Sequence, residues 1–180
     1  MKRIPLSFLA SAICAAIALG AGPTMAQDKP ASPMDQLDSF VGDGTCTGNV
    51  MAMNKHPGHA TTGKYHGEKT LDGHWVVIQY DEDQSAANPK PFRVVQYFGY
   101  NAAKKRFVSV LIDNSDPGYA TSTSPGWKDG SITFDETADG KVSFRDAFTS
   151  NKSGMNSHTG WMKDKSGKWV KTDEETCKSS

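Results

Sequence analysis

From Gly44 onward no segment of this chain keeps a helical period; the residues fall into short runs rich in Val, Ile, Thr, Phe, Tyr and Trp, separated by turn residues. The pattern predicts strands near Thr45–Met53, Gly63–Leu71, His74–Asp81, Arg93–Tyr100, Arg106–Asp113, Tyr119–Thr123, Ile132–Asp135, Val142–Thr149, Thr159–Lys163 and Trp169–Thr176. Between them stand Leu71-Asp72-Gly73, Asn101-Ala102-Ala103-Lys104, Pro125-Gly126, Ala138-Asp139-Gly140 and Lys165-Ser166-Gly167, all turn chemistry. Connections this short join sequential antiparallel neighbours. A meander of so many strands must close on itself or expose two edges. The expected fold class is therefore all-β, an antiparallel up-and-down barrel of about 8–10 strands.

One short helix precedes the strands. Ser32 is placed to cap it and Pro33 to occupy its first position. Met34, Leu37, Phe40 and Val41 then share a helical face, and the helix is expected to end before Gly42-Asp43-Gly44.

Pairing the hairpin across Asn101–Lys104, with Tyr100 opposite Lys105, puts Val94, Phe98, Phe107 and Leu111 on one face. Gln96 and Ser109 pair on that same face, whereas Val95, Tyr97, Val108, Val110 and Ile112 fall on the other. Both faces are apolar, unlike a sheet with one wet side. One would line a barrel; the other needs cover from the N-terminal helix or from a second copy of the chain. A two-sheet sandwich is the alternative, and it leaves one apolar face open.

Residues Met1–Ala26 carry Lys2 and Arg3, then an apolar stretch, then Thr24-Met25-Ala26, the pattern of a cleaved export signal with Gln27 as the mature start. About 154 residues then form a single domain, 27–180, with strands from about residue 44. Without Lys2 and Arg3 the basic count is 20 − 2 = 18 against 20 acidic residues, which argues against a nucleic-acid surface. No membrane span is expected after cleavage, and the predicted location is periplasmic or extracellular. Loss of Cys14 leaves Cys46 and Cys177, expected to pair in an oxidising compartment and to bring the first and last strands together.

LDGHWVVIQYDE and VVQYFGYNAAKKRFVSVLIDNSDPGYATSTSPGWKDGSI carry a resemblance to the bacterial lipocalin-like family of unknown function. The matching positions are Leu71, Asp72, Gly73 and Trp75, then Gly99, Tyr100, Asn101, Lys104, Lys105, Arg106 and Phe107, then Asp113, and the likeness covers about Leu37–Glu136. The resemblance implies a calycin-type barrel and no established reaction. Such barrels open with a Gly-x-Trp that plugs one end; here Gly42-Asp43-Gly44 stands there, with Cys46 just after. A Cys46 disulfide is a candidate for the missing fastening.

Four of the five histidines fall between His56 and His74. His56 and His59 flank a Pro57-Gly58 turn, and with His66 they could offer three nitrogens to zinc, or one to haem. His74 joins only if Leu71-Asp72-Gly73 forms a three-residue loop. Solvated histidines are the plainer reading, and no cofactor is the expectation. His158 is read as a strand residue, and Asp81-Glu82-Asp83 as turn and surface residues. With no Gly-x-Ser-x-Gly elbow and no free reactive cysteine, the balance is against an enzyme. The aromatic residues of the strands instead suggest a barrel that holds a small, partly apolar ligand, or else one that they fill. The candidate pocket residues are Trp75, Val94, Gln96, Phe98, Phe107, Ser109 and Leu111.

Overall fold

In the computed structural model the described residues are 32–53, 57–115, 117–138 and 141–180, so the leader and His56 lie outside them. No helix among them is long and apolar enough to cross a membrane. The chain begins with a helix at Pro33–Phe40, capped as the sequence predicts: the Ser32 hydroxyl accepts from the Met34 N–H at 3.2 Å, and Asp35 accepts from the Ser32 N–H at 2.8 Å. The helix is of the 3₁₀ type, whose three-residue period aligns Met34, Leu37 and Phe40 in one buried row. Val41, expected on that face, is instead the C-terminal cap and is 41% exposed.

Eleven strands follow: β1 Gly42–Val50, β2 His59–Thr70, β3 Trp75–Glu82, β4 Arg93–Asn101, β5 Arg106–Asp113, β6 Ala120–Ser124, β7 Trp127–Lys128, β8 Ser131–Ala138, β9 Lys141–Asn151, β10 Gly154–Lys163 and β11 Trp169–Ser179. Each pairs antiparallel with its sequence neighbours, except that the two-residue β7 reaches only β8. β1 pairs with β11 and β6 with β8, which closes ten strands into a barrel. Cys46 lies directly opposite Cys177 across the β1–β11 seam, and the two form a disulfide.

Three local expectations are corrected. The β4–β5 hairpin pairs Tyr100 with Phe107 rather than with Lys105. A slip of two residues preserves the side-chain parity, so every face assignment made for this hairpin survives. The β2–β3 turn is a four-residue loop joining Thr70 to Trp75, with Leu71 and Asp72 at positive φ, so neither of the two alternatives for His74 holds. β2 begins at His59 rather than Gly63, because the Ala60–Gly63 stretch continues the alternation of the strand.

The helix does not cover the outer face of β3–β5. It enters the barrel at the end where β1 starts and β11 finishes. The Phe40 ring lies 5.2 Å from Phe98 and 5.3 Å from Phe148, and Phe98 lies 5.1 Å from Phe134, so tilted aromatic rings fill this half of the lumen. Gly67 permits the seating: a Cβ there would stand 1.8 Å from the Phe40 carbonyl oxygen. Outside, the Trp127 indole N–H donates to the Gln36 carbonyl at 2.8 Å. Phe40, fully buried against Phe98 and Phe148, thus closes this end of the lumen.

Candidate functional site

The other half of the lumen is open, a cavity of about 520 Å³. It exists because alternation along each strand selects what points inward. On β3 the inward series is Val76, Ile78, Tyr80 and Glu82; on β2 it is His59, Thr61, Gly63, Tyr65 and Gly67. Glycine makes the room for the tyrosines, since a Cβ on Gly63 would meet the Tyr80 ring at 2.5 Å and one on Gly44 would meet Tyr65 at 2.3 Å. The apolar wall includes Met51, Ile78, Val94, Leu111, Phe148 and Met155.

Three polar groupings break that wall. His59 Nε2 lies 2.9 Å from Glu82 Oε1, while the Asn88 amide and the Phe92 N–H donate to Glu82 Oε2 at 2.8 and 2.9 Å. Burial would raise the pKa of Glu82, but the Phe92, Asn88 and His59 bonds outweigh it and hold the carboxyl below its usual range. His158 sits between two carboxylates, with Nε2 3.2 Å from Asp146 and Nδ1 3.1 Å from Asp173. Burial disfavours the imidazolium, yet these two partners overcome it and push the pKa up to about 10. Its ring also packs on Phe148 at 4.9 Å. In the third grouping the Tyr80 hydroxyl donates to Glu175 Oε1 at 2.6 Å, and the Thr61 hydroxyl approaches the same oxygen at 3.5 Å. Burial raises the Glu175 pKa, and burial together with the Glu175 bond raises that of Tyr80.

The candidate pocket residues separate into three groups. Val94, Gln96 and Leu111 line the cavity. Phe98, Phe107 and Ser109 point into the lumen but belong to or border the filled half, where Gln96 donates to Ser109 Oγ at 2.8 Å. Trp75 is on the outside: it pairs with Gly99, whose missing side chain leaves room for the indole on the outer surface, opposite in parity to buried Phe98. The strand aromatics therefore divide as well, with Phe98, Phe107, Phe134 and Phe148 filling one half of the barrel and Tyr80 and Phe92 bordering the space in the other.

Of the three-histidine set, the two members among the described residues face apart. His59 points into the lumen, whereas His66, an odd number of residues further along the same strand, points out and bonds Asp43 at 2.7 Å. Among the described residues no group of three or more His, Cys, Asp or Glu could hold a metal ion.

Sequence reasoning missed Glu82, His158, Asp173, Glu175 and Tyr80 as one constellation. Glu82 is 6% exposed, not a surface residue, and its parity with Ile78 was the available signal. Asp173 and Glu175 likewise share the parity of Cys177. For His158 no such count works, because β10 is irregular between Met155 and Ser157 and again between Gly160 and Trp161.

No curated protein matches this chain. The sequence model of one family, described as "Protein of unknown function (DUF1579)", matches residues 29–178, and the chain belongs to that family.

Proposed function

We propose that this protein is an exported, lipocalin-like carrier that binds a small, partly apolar molecule in its barrel without transforming it. The observation that carries this reading is the half-filled lumen. Phe40 and its aromatic neighbours stop one end of the barrel, and beyond them lies a cavity of ligand size whose apolar wall is interrupted by a few converging polar groups. The calycin-type likeness supports the same reading. Export is supported by the basic-then-apolar leader and by the Cys46–Cys177 disulfide, which suits an oxidising compartment.

Native mass spectrometry of protein purified from the exported fraction, paired with titration of a neutral apolar fluorophore, tests the proposal. The expected result is a co-purified small mass or saturable dye uptake, either of which is lost when Leu111→Trp fills the cavity. Ligand-free protein that takes up no dye would end it.

A further inference from the structure

We infer that the molecule held in this cavity is a lipophilic cation, an apolar body carrying a protonated amine that docks on the carboxyl of Glu175. The inference rests on the binding reading above and specifies its ligand class. Four carboxyls line the cavity, those of Glu82, Asp146, Asp173 and Glu175, against two imidazoles, those of His59 and His158, with no Lys or Arg among the lining residues. Even with both imidazoles protonated the wall stays acidic. The His158 imidazolium is already held between Asp146 and Asp173, so a fatty acid or other apolar anion would find no uncommitted cation in this field, whereas an ammonium would be drawn in.

The partners of each carboxyl select Glu175. Glu82 is closed off by His59, Asn88 and the Phe92 N–H. Asp146 and Asp173 share the His158 imidazole, and the Thr172 hydroxyl adds a further bond to Asp173. Glu175 takes its bonds from hydroxyls alone, both on Oε1. Its Oε2 has no hydrogen bond among the described residues, and Glu175 pairs with no Lys, Arg or His there. The carboxyl thus lines the cavity with Oε2 unbonded among the described residues and its position fixed by Tyr80. Ile78, Val94, Leu111, Phe148 and Met155 provide the apolar wall for the rest of the molecule. An arriving ammonium favours the carboxylate form of Glu175, so any proton held there is released to solvent.

Three probes of matched length, decylamine, decanol and decanoate, displacing a neutral apolar fluorophore from the purified protein, test the class. Decylamine should bind at least about tenfold more tightly than decanoate, and Glu175→Gln should weaken decylamine about tenfold while leaving decanol within about twofold. The ranking on the unaltered protein does not depend on the variant, so a misfolded variant does not blur the result. If decanoate matches decylamine, or Glu175→Gln leaves the amine unaffected while decanol binds, the cation class is wrong and the cavity reading survives. If neither the fluorophore nor any probe binds, both fall.

Discussion

His158 shows how much one half-buried side chain can depend on its partners. An imidazole in a largely apolar lumen would ordinarily stay neutral, but Asp146 and Asp173 flank it and keep it protonated to about pH 10. Because this pKa lies above the ordinary value of 6.5, the stabilisation it supplies is complete below about 6.5 and disappears as pH rises through about 10. Urea unfolding followed across that window should show a steeper loss of stability for the native protein than for His158→Gln. At neutral pH the variant should be less stable by on the order of 2 kcal/mol, because two partly buried carboxylates lose their shared cation. Parallel pH profiles would refute the assignment. In the sequence this residue reads as an unremarkable strand histidine: its two partners lie on β9 and β11, and strand irregularities on both sides of it defeat simple alternation.

Among the elements, the helix and the strand beneath it are the most sensitive pair. Gly67 lies on the inward series of β2, directly under the Phe40 carbonyl, and any Cβ there must displace the helix that closes the barrel. Gly73 makes the contrast, for it sits at φ 79° in the β2–β3 loop with open space around it, so a side chain there meets only backbone strain. Gly67→Ala is expected to cost about 3 kcal/mol, and Gly73→Ala about 1 kcal/mol. Thermal melts should separate the two by roughly 6 °C, with Gly67→Ala the lower; the reverse order would mean that the helix is not held where it appears. At this scale the sequence was most legible. The helix cap and eight of the ten strand patterns needed only small adjustments at their ends, because turn residues and period-two runs are local signals. The other two began late: Gly63–Leu71 missed His59-Ala60-Thr61-Thr62, which carries no large apolar residue, and Thr159–Lys163 missed Gly154–His158, where the ladder is irregular between Met155 and Ser157. The brief β7 follows directly on Pro125-Gly126 and is too short to show a pattern.

At the largest scale the barrel is a ring with two unequal seams. β1 and β11 pair over seven residues and carry the Cys46–Cys177 bond, whereas β6 and β8 meet only at Ser122–Glu136 and Thr123–Asp135. Closure was legible from the two cysteines alone, since a bond joining the ends of a meander requires its first and last strands to be neighbours. The cavity was not legible, because it depends on how far the helix fills the lumen, and no local pattern records that depth. The unequal seams predict where the ring opens. With the disulfide intact, amide hydrogen exchange should be faster across the β6–β8 seam than across β1–β11, since a ladder of two residue pairs opens at little cost. Reduction removes a constraint spanning 131 residues, which is worth on the order of 5 kcal/mol at most in the chain-entropy model, and the melting temperature should fall by up to about 15 °C. The β1–β11 amides should then gain exchange relative to the oxidised protein while those of β6 stay as they were. Uniform acceleration through the barrel would show that the bond steadies the fold as a whole rather than this seam, and an unchanged melting temperature would show that the ladder alone holds the ring closed.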